Sequence, residues 1–318
     1  ILKVSLSLIV LFVFTQHVTS QVSALKVIPE VQHFDGKSGT YTLPSTVKIL
    51  VNTTKNDSLM NIAEQLKEEL HTMFKIEASV DTTSATKAVA ANEIVLTYSN
   101  NALTNSEAYT LNMNSSEGVT IQGVARDGAF WATRTLLQLA ENHNNLIPCG
   151  LVTDFPDYPT RGFMIDVARK FFTIDYLRDY VKILSYYKMN ELHVHLNDNG
   201  FKSYYEDDWS KTYAAFRLES DTYPGLAAKD GHYTKEEFRN LQLLGMQYGV
   251  NVIPEIDIPA HSLAFTRYMP ELEASAPYAK DHLDILDDKK LPIIYDFFDK
   301  LFDEYIKGGT PSQREKSY

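Results

Sequence analysis

The sequence of 318 residues contains a single cysteine, Cys149. One thiol cannot form a disulfide within the chain and cannot build a metal cage from several cysteines. We therefore expect Cys149 to be a small buried residue. Positive charge is also scarce, because 30 Lys and Arg residues face 41 Asp and Glu residues and the net charge is −11. Phosphates attract clustered Lys and Arg, so this balance argues against nucleic acid and anionic membranes as partners.

Long apolar runs are scarce as well, and one stands at the start of the chain. Residues 4–14 are largely apolar, Lys3 precedes them, and Val18, Thr19 and Ser20 follow where a signal peptidase would cut. The run is too short to span a bilayer. It predicts a secretory signal over residues 1–20, and hence a secreted or periplasmic protein that is not bound to a membrane after cleavage. The alternative is an N-terminal core strand.

The rest of the composition suits two ordinary domains, since 44% of the residues are hydrophobic. Runs rich in Val, Ile, Thr and Tyr predict strands at 46–51, 93–98, 108–113 and 118–123. Residues 58–74 and 127–141 have helical spacing instead. The pattern predicts a small α+β domain over residues 21–150. A segment with prolines at 148, 156 and 159 marks its end, and a second domain is expected over residues 151–318.

A regular alternation of strands and helices begins at Gly162. Strands are predicted at 162–168, 191–196 and 250–257, and helices at 174–188 and 235–248. Repeated strand and helix units imply parallel strands with right-handed crossovers. Both a (β/α)8 barrel and an open doubly wound sheet fit this alternation.

Both predicted helices carry recognisable end signals. Thr173 is a candidate N-cap of the first helix, Thr234 and Glu237 have capping-box spacing before the second, and Gly249 follows its end. The buried face of the first helix is expected to be an apolar stripe formed by Leu177, Val181, Leu184 and Tyr187.

Polar side chains stand where each of these three strands ends. Parallel strands bring their carboxyl ends to one edge, which is where functional residues of both folds gather. The sequence therefore predicts one shared cleft. Its candidate residues are Asp166 and Arg169 after the first strand, His195 and Asp198 after the second, and Glu255, Asp257 and His261 after the third.

Three features of this cleft leave alternatives open. His193 and His195 lie two apart on a strand and so leave the same face, which is a geometry that holds zinc in some barrel hydrolases. The alternative is that at least one of them is a hydrogen-bonded core residue. Arg169 either binds sugar hydroxyls or a carboxylate as a ligand, or pairs with Asp166 or Asp175. The loop over 199–233 is rich in aromatic residues, which either stack on sugar rings or pack on one another. These residues are Tyr204, Tyr205, Trp209, Tyr213, Phe216 and Tyr223.

Four ordered motifs resemble those of glycoside hydrolase family 20, the β-N-acetylhexosaminidases. They read "RGFMIDVARKFF", "YYKMNELHVHLND", "YPGLAAKDGHYTKEEF" and "YGVNVIPEIDIPAHSLAF". The earlier segment "GVTIQGVARDGAFWATRTLLQL" is similar to the one that precedes the barrel in that family. The resemblance implies a small α+β domain followed by a (β/α)8 barrel, of which about three strands are present in this chain.

The resemblance also implies a reaction and residue roles. The family hydrolyses terminal β-linked N-acetylglucosamine or N-acetylgalactosamine, and the acetamido oxygen of the substrate attacks the anomeric carbon. Arg169 matches the arginine that holds the ring hydroxyls, and Asp198 and His261 match a pair beside the catalytic acid. His195 and Glu255 match supporting positions. No cofactor and no metal are implied. Asn199 and Ala260 depart from the commoner Asp and Gly of the family.

The family's catalytic pair is an adjacent Asp-Glu after the fourth barrel strand. The spacing places that pair just beyond Tyr318, so we expect no catalytic acid within this sequence and no activity from these residues alone. Asp303-Glu304 has the same letters but lies in a predicted helix, whose apolar stripe is Ile294, Phe298, Leu301 and Tyr305. Both of its carboxylates are expected to face solvent. A carbohydrate-binding barrel without turnover and a metal-dependent barrel hydrolase are the alternative functions.

Overall fold

A computed structural model describes residues 25–52, 57–98 and 103–306 of the chain. The predicted secretory signal over residues 1–20 lies outside these residues. No helix in the described ranges has both the length and the hydrophobicity that crossing a bilayer requires.

The amino-terminal unit is a seven-stranded mixed sheet with two helices. Its sheet has the strand order β1-β7-β5-β6-β4-β2-β3. The strands are β1 (His33–Tyr41), β2 (Thr46–Asn52), β3 (Glu77–Thr83), β4 (Glu93–Tyr98), β5 (Tyr109–Asn114), β6 (Gly118–Gly123) and β7 (Ile147–Asp154), and the helices are α1 (Asp57–Phe74) and α2 (Arg126–Asn142). The four predicted strands and both predicted helices are confirmed.

Apolar side chains of the sheet and both helices form one core in this unit. Helix α2 is buried along most of its length, including the helically spaced Ala129, Ala132, Leu136 and Leu139. Cys149 is buried on β7, as predicted. The burial of these apolar surfaces supplies the main favourable free energy of the unit.

The second unit contains three parallel strands in the order β12-β9-β8. Leu192, Val194 and Val252 are buried in the second core, which the helices share, whereas Met164 on the other face of the sheet is exposed. The elements are β8 (Gly162–Asp166), α3 (Ile174–Tyr186), β9 (Glu191–His195), β10 (Asn197–Asn199), β11 (Ala214–Phe216), α4 (Lys235–Gln247), β12 (Asn251–Glu255), α5 (Leu263–Tyr268) and α6 (Leu291–Ile306). The predicted alternation of strand and helix is confirmed.

The strand register aligns the ends of the three strands. Asp166 pairs with His195, and His195 pairs with Glu255 on its other side. Immediately after β9, strand β10 forms a short antiparallel pair with β11. The first part of the loop predicted over 199–233 therefore returns to its own starting point at β11.

The predicted helix ends are confirmed. The Thr173 side chain accepts a hydrogen bond from the Tyr176 amide, and Thr234 and Glu237 form a complete capping box. Gly249 follows α4 with a φ of +69°, and an added Cβ would lie 2.9 Å from the Trp131 ring. Both the backbone conformation and the packing against the first unit therefore favour glycine at this position.

Two predictions about helix faces are wrong. Leu177, Val181 and Leu184 are buried as expected, but Tyr187 is exposed. Tyr187 is the C-cap of α3 rather than part of its last turn, so it leaves the stripe. Glu304 does not face solvent, because its carboxylate accepts hydrogen bonds from Ser220, Asp221 and Thr222.

Glu304 is expected to contribute to stability in a pH-dependent way. Burial raises its pKa, but the hydrogen bonds from Lys235 and from the loop after β11 outweigh burial and lower the pKa from 4.5 to about 2. The contribution is therefore present above pH 4.5 and is lost as the pH falls through about 2. Glu304→Gln should lower the free energy of unfolding at pH 7 by about 3 kcal/mol in urea titrations. Asp296→Asn on the same helix breaks an exposed pair with Lys300 and should cost less than about 1 kcal/mol.

A buried polar cluster joins the two units. The Lys188 ammonium donates to Tyr109 Oη at 2.8 Å and to Asp154 Oδ2 at 2.9 Å. Tyr109 Oη in turn donates to Asp154 Oδ2 at 2.6 Å. Lys188 belongs to the turn after α3, whereas Tyr109 and Asp154 belong to β5 and β7 of the first sheet. The cluster therefore fixes the second unit against the ends of two interior strands of the first.

Candidate functional site

The predicted cleft lies at the carboxyl ends of β8, β9 and β12. All seven candidate residues of the cleft are close together there, namely Asp166, Arg169, His195, Asp198, Glu255, Asp257 and His261. They come from three segments, so that Arg169 and His261 are more than 90 positions apart in sequence, and they meet because parallel strands end at one edge.

Arg169 lies at the lip of the cleft, with its side chain about one-third exposed. It forms ion pairs with Asp166 Oδ2 at 2.9 Å and with Asp198 Oδ2 at 2.7 Å. Its Nε donates to the Asn199 carbonyl. Of the two ion-pair partners considered from sequence, Asp166 is confirmed and Asp175 is wrong, because Asp175 pairs with Arg178. The guanidinium is thus held rigidly while one side remains open to a ligand.

Asp198 is the centre of the site, and its side chain is 1% exposed. Its carboxylate accepts hydrogen bonds from His195 Nε2 at 2.7 Å, His261 Nδ1 at 2.8 Å and the Asn199 amide at 2.7 Å. Burial alone would raise the pKa of Asp198, but these hydrogen bonds outweigh it and the pKa lies below its usual value. Asp198 is therefore an ionised carboxylate with its acceptor capacity filled.

His261 connects Asp198 to the open part of the cleft. Because Asp198 accepts at His261 Nδ1, that nitrogen carries a proton, and Nε2 is directed away from Asp198. His261 has a φ of +56°, an uncommon conformation for a residue other than glycine. The Asn197 side chain holds the loop by donating to the carbonyls of Asp257 and His261. The loop therefore presents the imidazole in one orientation.

His195 lies between two carboxylates. Its Nε2 is 2.7 Å from Asp198 Oδ2, and its Nδ1 is 3.0 Å from Glu255 Oε2. The hydrogen bond to Asp198 raises the pKa of His195, burial opposes this, and Glu255 adds to the rise, so that the pKa reaches about 9. His193 lies on the same face, as predicted, with Nε2 2.9 Å from the same Glu255 oxygen.

Comparison with known proteins agrees with the motifs. The family model "Glycosyl hydrolase family 20, catalytic domain" matches residues 158–311, and "Glycosyl hydrolase family 20, domain 2" matches residues 24–155. The chain belongs to glycosyl hydrolase family 20. Both units of the fold are thereby assigned to the same family.

Individual family 20 proteins match the chain over part of their length. A β-hexosaminidase of Akkermansia muciniphila is 34% identical over 168 residues, which are 52% of this chain and 34% of that protein. A β-hexosaminidase of Vibrio furnissii is 28% identical over 258 residues, which are 78% of this chain and 40% of that protein. The chain thus spans less than half the length of these curated relatives.

A solved family 20 structure confirms the fold class. The β-N-acetylhexosaminidase of Streptomyces coelicolor superposes with a TM-score of 0.70 and 25% identity, over 89% of this chain and 57% of that one. The small α+β unit followed by part of a (β/α) barrel is therefore the predicted architecture, and the open doubly wound sheet is not adopted.

The carboxylates and imidazoles of the site are better suited to pairing with cationic side chains than to binding a metal ion. Among the described residues, Asp166, His195 and Asp198 form one group close enough for a metal, and His195, Glu255 and Asp257 form another. However, Arg169 already lies against Asp166 and Asp198, and Asp198 already accepts three hydrogen bonds. His193 belongs to neither group. The paired histidines therefore bind a carboxylate between them.

One residue that supports the site was missed by sequence reasoning. Arg217, which is fully buried, donates from Nε to the Val167 carbonyl at 2.8 Å and from Nη2 to the Ala168 carbonyl at 2.7 Å. It also pairs with Asp230 at 2.8 Å. Arg217 thereby fixes the turn that carries Arg169. An arginine that directly follows the buried run of β11 was the signal available in the sequence.

The aromatic residues of the 199–233 loop divide between the two alternatives. Phe216 is buried in the core, and Tyr223 stacks on Phe297 with ring centroids 4.2 Å apart. Tyr204 is 81% exposed, and Trp209 lines an open groove of about 570 Å³. Phe201, which was not among the predicted residues, is exposed with the Arg169 guanidinium 5.5 Å from its ring centroid.

Proposed function

We propose that this chain forms part of an exo-β-N-acetylhexosaminidase, which removes terminal β-linked N-acetylglucosamine or N-acetylgalactosamine from glycans. The observation that carries the proposal is the Arg169–Asp198–His261 arrangement at the ends of three parallel strands, in a family 20 chain. The names of the curated relatives, which are β-hexosaminidases, support the same activity.

The carboxylates of the site support a substrate-assisted reaction. Asp166 and Asp198 share Arg169, and Glu255 lies against two histidines. A carboxylate stabilised by cations and hydrogen bonds is a weak nucleophile and a weak base. When the acetamido oxygen of the substrate attacks the anomeric carbon, none of these carboxylates has to act as the nucleophile or as a base.

His261 is proposed to assist the acid that protonates the leaving oxygen. Because Nδ1 donates to Asp198, a neutral His261 has its free lone pair on Nε2. That lone pair can accept a hydrogen bond from a carboxylic acid beside it, which would adjust the proton affinity of the acid. Asp198 maintains this tautomer because it cannot donate.

We also propose that the acid itself is supplied from outside the described residues. Within those ranges, Glu304 of the Asp303-Glu304 pair is engaged by Lys235 and by the loop after β11 rather than by the site. Residues 21–318 are therefore expected to bind N-acetylhexosamines weakly and not to hydrolyse them.

The test compares residues 21–318 with the protein at the length of its relatives. Both are assayed with aryl N-acetyl-β-glucosaminide and with the aryl β-glucoside, which lacks the acetamido group. We expect the longer protein to hydrolyse the N-acetyl-β-glucosaminide and not the β-glucoside. We expect residues 21–318 to hydrolyse neither substrate. Binding without turnover in the longer protein would instead indicate a carbohydrate-binding barrel, and activity that requires an added metal would indicate a metal-dependent hydrolase.

Arg169→Lys is expected to weaken substrate binding in the active protein. Lysine keeps the positive charge, but it lacks the planar guanidinium. Its compact ammonium group cannot contact Asp166, Asp198 and a sugar hydroxyl at the same time. We expect kcat/KM to fall by about 10- to 100-fold, mainly through KM, and inhibition by free N-acetylglucosamine to weaken in parallel. Arg178→Lys is the matched control, since Arg178 pairs with Asp175 on an exposed helix face. Equal kinetic constants for wild type and Arg169→Lys would exclude Arg169 from binding.

A further inference from the structure

Acidic and basic side chains alternate across the ends of the three strands. Asp166 is paired with Arg169, Arg169 with Asp198, Asp198 with His195, and His195 with Glu255. The contacts between neighbours range from 2.7 to 3.0 Å. We call these five side chains the charge row.

The position of His195 in the charge row decides its protonation. An ionised carboxylate only accepts hydrogen bonds, so a nitrogen that faces one at short distance carries a proton. Asp198 faces His195 Nε2, and Glu255 faces His195 Nδ1. His195 Nδ1 and Glu255 Oε2 are both buried, and neither has an aligned hydrogen-bond partner, so their 3.0 Å contact is an ion-pair contact rather than a directed hydrogen bond. A proton on each nitrogen makes the ring an imidazolium.

The surroundings of His195 favour the charged ring. Asp198 on β10 and Glu255 on β12 are the anions in contact with it, and carboxylate oxygens of Asp166 and Asp257 lie within 4.8 Å of a ring nitrogen. Arg169 lies on the far side of Asp198, and His193 of the same strand lies on the far side of Glu255. The ring of His261 is 6.3 Å away between centroids and is separated from His195 by the shared Asp198.

We propose that His195 is a positioning residue, a fixed imidazolium that holds Asp198 ionised and thereby keeps His261 in the orientation used in the reaction. The proposed effect of His195 on catalysis rests on the hexosaminidase activity proposed above. The proposed charge of His195 is independent of that activity. Arg169 contacts Asp198 and is also proposed to bind the substrate, whereas His195 contacts Asp198 and no substrate. The contact between His195 and Asp198 is therefore kept when substrate binds or dissociates.

The charge of His195 is tested by ¹⁵N NMR of the protein labelled at histidine, with the His195 signal assigned by its loss in His195→Gln. We expect the signature of an imidazolium protonated on both nitrogens at pH 7, lost only in titration towards about pH 9. A ring protonated on Nε2 alone at pH 7 would overturn the proposal, because the second proton would then be on Glu255 or absent.

The positioning role is tested by the pH profile of kcat/KM in the active protein. In His195→Gln, Asp198 loses one of two cations, so the acidic limb should move to higher pH by about 1–3 units. His193→Gln is the matched control, because it removes the other imidazole beside Glu255 and no contact with Asp198. An unmoved limb in His195→Gln, or an equal shift in both variants, would overturn the positioning role.

The two arms separate this proposal from the proposed activity. If the protein hydrolyses no N-acetylhexosaminide but the NMR signature of His195 is that of an imidazolium, the proposed activity fails and the assignment of charge stands. If the protein is active and the ring is neutral, the activity stands and the assignment fails.

Discussion

Asp198→Asn is expected to reduce kcat/KM for an aryl N-acetyl-β-glucosaminide by at least about 100-fold. The asparagine NH2 group faces either His195 and Arg169 or His261 and the Asn199 backbone amide, all of which are donors. His261 then no longer has an anionic acceptor at Nδ1, so its tautomer and orientation are held less firmly. The loss should appear chiefly in kcat, because the orientation of His261 is used during protonation of the leaving group.

The same substitution is expected to destabilise the protein. Removing one partner from a buried ion pair leaves the other charge without compensation, which typically costs about 3–5 kcal/mol. The free energy of unfolding is measured by urea titration at pH 7. Asp175→Asn provides the control, since Asp175 is an exposed carboxylate paired with Arg178 on α3. If Asp198→Asn kept kcat/KM within threefold of wild type, Asp198 would have no part in the reaction.

Lys188→Met is expected to be the most damaging substitution at the junction between the two units. It leaves the buried Asp154 carboxylate with Tyr109 as its remaining side-chain partner in the cluster. We expect a loss of about 3–5 kcal/mol in the free energy of unfolding, again by urea titration. Lys182→Met on α3, where the ammonium is exposed and 3.7 Å from Asp179, should change stability by less than about 1 kcal/mol.

A double variant separates the charge from the packing at this junction. Burial lowers the pKa of Lys188 more than Asp154 raises it, so the ammonium is held at a cost. Lys188→Met combined with Asp154→Leu should therefore recover most of the stability that Lys188→Met loses, because no charge is left unpaired. Additive losses in the double variant would show that the cluster stabilises through packing rather than through ionic pairing.

The sequence predicted the elements of the fold because their signals are local. Strand runs, helical spacing, the Thr234 capping box and Gly249 each depend on residues within a few positions of one another. The predicted cleft followed from one further rule, that parallel strands end at one edge. This is why Arg169, Asp198 and His261 could be grouped before any contact among them was known.

The errors arose where distant residues decide the outcome. A helical stripe places Glu304 on the outer face, but the groups that engage it come from residues 220–222, more than 80 positions away in sequence. In the sequence, Arg217 looks like an ordinary basic residue. Only the structure shows that it donates hydrogen bonds to the carbonyls of Val167 and Ala168. Hydrogen-bond partners of this kind have no local signature.

The alignment of Asp166, His195 and Glu255 has a consequence for assembly of the sheet. Because side chains alternate between the two faces of a strand, a slip of one residue would turn all the polar ends of that strand toward the helices. A slipped β9 would bury His195 beside apolar helices and leave Asp166 and Glu255 without it. The side chains that surround Arg169 and Asp198 in the cleft therefore also penalise a one-residue slip of these strands, so the geometry of the cleft and the register of the sheet depend on the same three positions.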